Sequence, residues 1–185
     1  MKNQQWGFVL AWGLRATMAL GIVYFLVQQQ WSNVGIMLVS LGASGLAYYV
    51  MKHYVGESGQ YMDLMLALLI VFNNLLGLAF DFYHTVPYWD IATHYTTSLF
   101  LAVSALILLQ KAHPQLVYNE KPIVIGMAIM LFALGLGGLW EIGEFLSDFF
   151  RQTDFQHGLQ NTMQDLIVDL VAGLVVGFAW TQRKK

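Results

Sequence analysis

Apolar residues along this chain run in six long stretches, and polar residues gather between them or at their ends. The stretches lie near 7–27, 33–51, 61–80, 89–110, 122–146 and 162–181. Each holds roughly 18–25 residues, enough for a helix rising 1.5 Å per residue to cross a hydrocarbon core of about 30 Å. The pattern predicts an all-α, polytopic membrane protein, a compact bundle of six transmembrane helices forming one domain over residues 1–185. Polar connections are short: Gln28-Gln29-Gln30 with Ser32 and Asn33, then Gly56 to Gln60, then Pro87 just before the fourth span. Pro114 and Pro122 bracket the next connection, and residues 147–161 form the longest, carrying Arg151, Asp154 and His157. The run from Trp6 to Val27 is too long for a signal-peptide core and ends without a small-x-small cleavage site, so it reads as a retained helix.

Composition narrows the class. The chain is 57% hydrophobic and 11% charged, with a mean hydropathy of +0.55. Soluble domains run near 45–50% apolar and 25% charged. The expected partner is therefore the lipid bilayer, and no nucleic-acid partner is expected. The absence of cysteine excludes disulfides and thiolate metal sites. Six spans put both termini on one side, together with Lys2, Lys52, Lys111, Lys121, Arg183, Lys184 and Lys185, against Arg151 on the other. By the positive-inside rule both termini face the cytoplasm, in an inner membrane. Trp31, Tyr88, Trp89 and Trp140 then mark the outer boundary, and Trp6, Tyr54, Tyr61 and Trp180 the inner one.

Against this apolar background a few ionisable residues stand out. Asp90 and His94 open the fourth span, Glu141, Glu144 and Asp148 close the fifth, and Asp165 and Asp169 open the sixth. Charged side chains at membrane depth cost about 2.5–3.5 kcal/mol each on insertion scales, so they face a protein interior and mark function. Spacings of three and four keep each group on one helical face. The topology then brings them to one depth, within roughly 10 Å of the outer surface by helical rise. Asn73, Gly77 and Asp81 form a fourth stripe at the outer end of the third span. Small residues continue the stripes inward: Gly173 and Gly177 below Asp169, Ser98 and Ala102 below His94, Gly137 and Ala133 below Glu141. Such residues let membrane helices approach closely.

A pocket containing Asp90, Glu141, Glu144, Asp165 and Asp169 would carry five negative charges if all were ionised. Crowded carboxylates cannot all stay charged, so protons or cations must share the space. Two divalent cations would offset four of those charges. Oxygen-rich ligands with one imidazole favour Mg²⁺, Mn²⁺, Ca²⁺ or iron. The expected metal ligands are Glu141, Glu144, Asp165, Asp169 and His94, with Asp90 and His94 as the catalytic pair, Asp90 orienting the imidazole. Simpler readings compete. Asp90 also reads as a helix cap, and Thr162 to Asp165 resembles a capping box, a stronger competitor for Asp165. His94 reads as a ring bonded to a carbonyl, Asp148 as a solvated boundary residue, and Asp81 and His84 as loop residues. Asp63 reads as a snorkelling or capping residue near the inner surface. Arg15, in mid-span, needs either a carboxylate partner or an escape to the surface, and Asp63 and Asp169 both lie at a suitable depth for pairing.

Three runs carry a family resemblance: Tyr88-Trp89-Asp90 leading to His94, Leu139-Trp140-Glu141-Ile142-Gly143-Glu144-Phe145, and Asn161-Thr162-Met163-Gln164-Asp165 through Asp169 to Gly173. With Asn73-Asn74 and Gly77, they resemble the YjdF-type family of prokaryotic membrane-spanning proteins over roughly residues 61–178. A looser likeness to VanZ-like membrane proteins lies in the Asp–His, Glu and Asp–Gly order. The resemblance implies a fold and no reaction. The residues themselves suggest a divalent-metal site at the outer leaflet that hydrolyses or modifies a lipid-linked or envelope substrate. A cation or proton transporter using the same acids is the alternative, set against the lack of an internal repeat. A non-catalytic membrane partner whose polar cluster orders the bundle is the third reading.

Overall fold

The computed structural model describes residues 2–56, 59–152 and 155–183. Asp154, Lys184 and Lys185, and the side chains of Lys2, Tyr54 and Arg151, all used in reading the sequence, lie outside the described residues. Every regular element among the described residues is a helix, and six are long and apolar enough to cross a membrane. The protein is an all-α membrane protein. It divides into two compact units, Met1–Trp89 and Asp90–Lys185.

The first unit packs three long helices, α1 (Lys2–Val27), α2 (Trp31–Val50) and α3 (Gly59–Ile70), with a short α4 (Phe82–Thr85) after them. Two of the long helices end in wider turns. α2 runs on as a π-helix over Met51–Val55, and α3 as a nine-residue π-helix over Val71–Ala79. Met18, Phe25, Val34, Met37, Val71, Leu75 and Ala79 form the core between them. In the second π segment Asn74 donates to Ser40 Oγ at 2.7 Å, and Tyr83 donates to Asn73 Oδ1 at 2.8 Å. The Tyr83 ring occupies the space that a side chain at Gly77 would need. Asp81 sits in the left-handed region at φ 62° and pairs with His84 on the exposed surface.

This unit also answers the question of Arg15. Its guanidinium forms a two-pronged pair with Asp63, its Nη2 also donates to the Ser44 carbonyl at 3.0 Å, and both side chains are buried. Trp12 and Tyr48 each place a ring 5.3 Å from the guanidinium carbon. Asp63 is thus a buried ion-pair partner, not the snorkelling or capping residue expected from its depth.

The second unit holds α5 (Trp89–Ala112), a short α6 (Pro114–Asn119), α7 (Pro122–Arg151) and α8 (Leu159–Thr181). α7 and α8 approach closely because glycine meets glycine. A Cβ on Gly177 would lie 2.5 Å from the Gly126 carbonyl oxygen, and one on Gly173 would lie 2.9 Å from Met130 Cα. Ala102, Val117, Ile125, Ile129, Ala133, Val176 and Trp180 fill the core below. Trp180, in the last turn of α8, is 8% exposed, with the Arg183 guanidinium 3.4 Å above its ring centroid.

Both ends of the last connection are helical, so the expected loop over 147–161 shrinks to 152–158. Asp148 explains the added turn. Its carboxylate accepts the backbone N–H groups of Phe155 at 2.8 Å and Gln156 at 2.9 Å, folding the chain back toward α8. The residue is a loop clasp, where its position in the sequence suggested only solvation.

Candidate functional site

Three faces of the second unit supply the site. On α5, Asp90, His94 and Ser98 follow one another at four-residue spacing on one face. On α8 the same spacing runs through Asn161, Asp165, Asp169, Gly173 and Gly177. On α7, Glu141 follows Gly137 at the same interval. Matching positions meet: Asn161 Nδ2 donates to Asp90 Oδ2 at 3.0 Å, and two levels deeper Ser98 Oγ donates to Asp169 Oδ1 at 2.6 Å.

His94 is the hub. Its Nδ1 lies 3.4 Å from Asp169 Oδ2, and its Nε2 lies 3.6 Å from Glu141 Oε1 and 3.9 Å from Asp90 Oδ1. Asp165 and Asp169 have no solvent exposure, Glu141 has 3%, and the Asp90 side chain is 27% exposed. The cluster is therefore sealed on its deep side and opens at Asp90.

The hydrogen bonds around the acids are incomplete. Both oxygens of Glu141 and both oxygens of Asp165 are buried without a hydrogen-bond partner, as are Asn161 Oδ1 and Thr162 Oγ1. A buried carboxylate left in that condition costs several kcal/mol unless a proton or cation joins it. Asp90, His94 and Asp165 each offer one donor atom, and the three lie within 4.8 Å of one another. Ligands bound about 2.1–2.5 Å from a common ion span about that distance. Three ligands of this kind fit a divalent cation with one nitrogen and at least two oxygens.

Glu141 adjoins His94, and Asp169 lies beneath it. Glu144 stands one turn beyond Glu141, half-buried, and accepts a bond from Trp140 Nε1 at 2.8 Å; it is not one of the three grouped residues. The capping-box reading of Thr162 to Asp165 fails because α8 starts at Leu159 after Gly158, so Asp165 lies beyond the first turn. The Asp90 carboxylate reaches across to Asn161 rather than back to its own helix end. Reading the sequence overlooked Asn161 as a partner of Asp90 and Ser98 as a partner of Asp169. Their signal was present, since both lie on the same four-residue stripes as the acids.

The family model described as "Predicted membrane protein (DUF2238)" matches residues 10–185. The chain belongs to this family. A DUF2238 assignment agrees with six apolar helices and brings no reaction with it. The chain is also 29% identical over 139 residues to a Thermotoga maritima protein described as uncharacterised, covering 73% of this chain and 69% of that one. No solved structure matches it.

Proposed function

We propose that the second unit binds a divalent cation between Asp90, His94 Nε2 and Asp165, with Glu141 beside them, and uses it on a lipid-linked or envelope substrate. The carrying observation is Asp165: fully buried, both oxygens without a hydrogen-bond partner, yet within 4.8 Å of Asp90 and His94 donor atoms. A carboxylate in that setting wants a cation. Mg²⁺, Mn²⁺, Ca²⁺ or Fe²⁺ suits the oxygen-rich set. Such an ion supplies a water of lowered pKa or a clamp for a phosphate oxygen. Glu141, whose oxygens lie beside His94 without a hydrogen-bond partner, would act as a proton acceptor at the site, and the partial exposure of Asp90 would give a head-group its approach. With both termini in the cytoplasm of an inner membrane, this opening faces the outer leaflet. The YjdF-type resemblance is compatible with this reading and supplies no substrate.

Elemental analysis of detergent-purified protein, together with Mn²⁺ titration followed by electron paramagnetic resonance, tests the proposal. Wild-type protein is expected to hold divalent metal and to bind Mn²⁺ tightly, with binding lost in Asp165→Asn and Asp90→Asn. Wild-type protein that neither retains metal nor takes up Mn²⁺ would overturn it.

Complete burial of Asp165 and Asp169 favours a second reading, a cation carrier that holds its ion away from solvent. Uptake of Mn²⁺ into proteoliposomes, abolished by Asp169→Asn, would replace the enzymatic reading with this one.

A further inference from the structure

Asp169 is the deepest acid of the cluster and the one whose surroundings are most fully specified. Gly137 on α7 faces it with no side chain, and a Cβ built there would fall on the Asp169 carboxylate. Ser98 Oγ donates to Oδ1 at 2.6 Å, and His94 Nδ1 faces Oδ2 at 3.4 Å. The carboxylate therefore lies in a cradle made by three helices, each of its oxygens turned to a named neighbour. Asp165, one turn nearer the opening, has neither oxygen hydrogen-bonded. Two aspartates four residues apart on one helix thus live in opposite conditions.

We infer that Asp169 is a positioning residue that acts on the site through His94, and that Ser98 and Gly137 exist at their positions to hold it. An imidazole has two nitrogens, and the hydrogen bond made by one decides what the other can do. With Nδ1–H directed at Asp169, the Nε2 lone pair is presented toward Asp90 and Glu141. The carboxylate–histidine–metal arrangement has this form, in which the outer carboxylate fixes the ring and raises its basicity. Ser98 occupies one Asp169 oxygen, which leaves the other to the ring. A methyl group at Gly137 would displace the carboxylate from both partners. For its consequence on metal binding the inference rests on the cation site proposed above; the protonation of Nδ1 does not depend on it.

Two measurements separate the inferences. In metal-free protein labelled with ¹⁵N-histidine, with the His94 signals assigned against His94→Gln, a hydrogen-bonded Nδ1–H resonance is expected whether the ring is neutral or cationic. It should shift upfield in Ser98→Ala and Gly137→Ala, vanish in Asp169→Leu, and persist in Asp165→Asn. A bare Nδ1 in wild type, or an Nδ1–H indifferent to Ser98→Ala and Asp169→Leu, overturns the positioning role. In the Mn²⁺ titration, Asp169→Asn should weaken binding by about 10–100-fold, as outer-carboxylate losses do, whereas Asp165→Asn should abolish it. Equal, complete loss in both makes Asp169 a ligand and overturns the inference. If wild type binds no metal, the cation proposal fails while the Nδ1–H result still decides the role of Asp169. Ser98→Ala removes only a hydroxyl and covers the case in which Asp169→Leu does not fold.

Discussion

At Arg15 the chain places a permanent charge in the interior of a membrane-length helix and then surrounds it. Two bonds to Asp63, one to the Ser44 carbonyl and two aromatic faces leave it 3% exposed. Removing one partner of such a pair strands the other, which typically costs about 3–5 kcal/mol, whereas replacing both with apolar groups of similar size is often close to neutral. Arg15→Leu is therefore expected to lower the thermal midpoint in detergent sharply, and Arg15→Leu with Asp63→Leu to recover most of it. A double variant no better than the single one would show that the pair does more than satisfy itself. Sequence alone left Asp63 and Asp169 as equal candidates, because depth along a helix is legible in hydropathy while rotation about its axis is not. The same gap hid Asn161 and Ser98. Both were visible on the right stripe, but which stripe faced which could not be read from one chain.

Among elements, the six apolar helices were fully legible and their ends were not. α7 continues to Arg151 because the Asp148 carboxylate takes up loop N–H groups, a contact made with residues seven and eight positions away. The wide turns over Met51–Val55 and Val71–Ala79 left no trace in composition, since an i→i+5 bond changes no residue type. At Trp180 the sequence showed a tryptophan near a span end but not that Arg183 and Tyr118 pack against its ring. Of the glycine pairing of α7 with α8, Gly173 and Gly177 were legible as small residues at helical spacing and Gly126 was not, and the pairing makes a graded test. Gly177→Ala drives a methyl into the Gly126 carbonyl, whereas Gly143 has nothing within 4 Å of a built Cβ. Gly177→Ala should destabilise by about 1–3 kcal/mol, as overpacking does. Gly143→Ala should be neutral or slightly stabilising, since alanine is the better helix former. Thermal unfolding of the two variants side by side checks both expectations.

For the molecule as a whole, the distribution of Lys and Arg predicts that both chain ends and Lys52 share the cytoplasmic side. The cysteine-free chain makes this directly measurable. Single cysteines at Lys52 and at Tyr88, which is 79% exposed, should react with a membrane-impermeant maleimide from opposite sides of oriented membranes. Labelling of both from one side would remove the outer-leaflet placement of the cluster and leave its chemistry intact. A bound cation should also stabilise the fold by mass action, by about 2.7 kcal/mol at a free concentration one hundred times its dissociation constant. Addition of a chelator is then expected to lower the thermal midpoint of wild type but not of Asp165→Asn.

The Asp148 clasp has an effect on genetics. It folds the backbone just ahead of α8, and α8 delivers Asn161, Asp165 and Asp169 to their places. A random-mutagenesis screen for loss of the proposed Mn²⁺ binding should recover Asp148 alongside the buried acids. A hit there would reflect faulty delivery of the helix, and the protein would carry every side chain of the cluster while failing to align them.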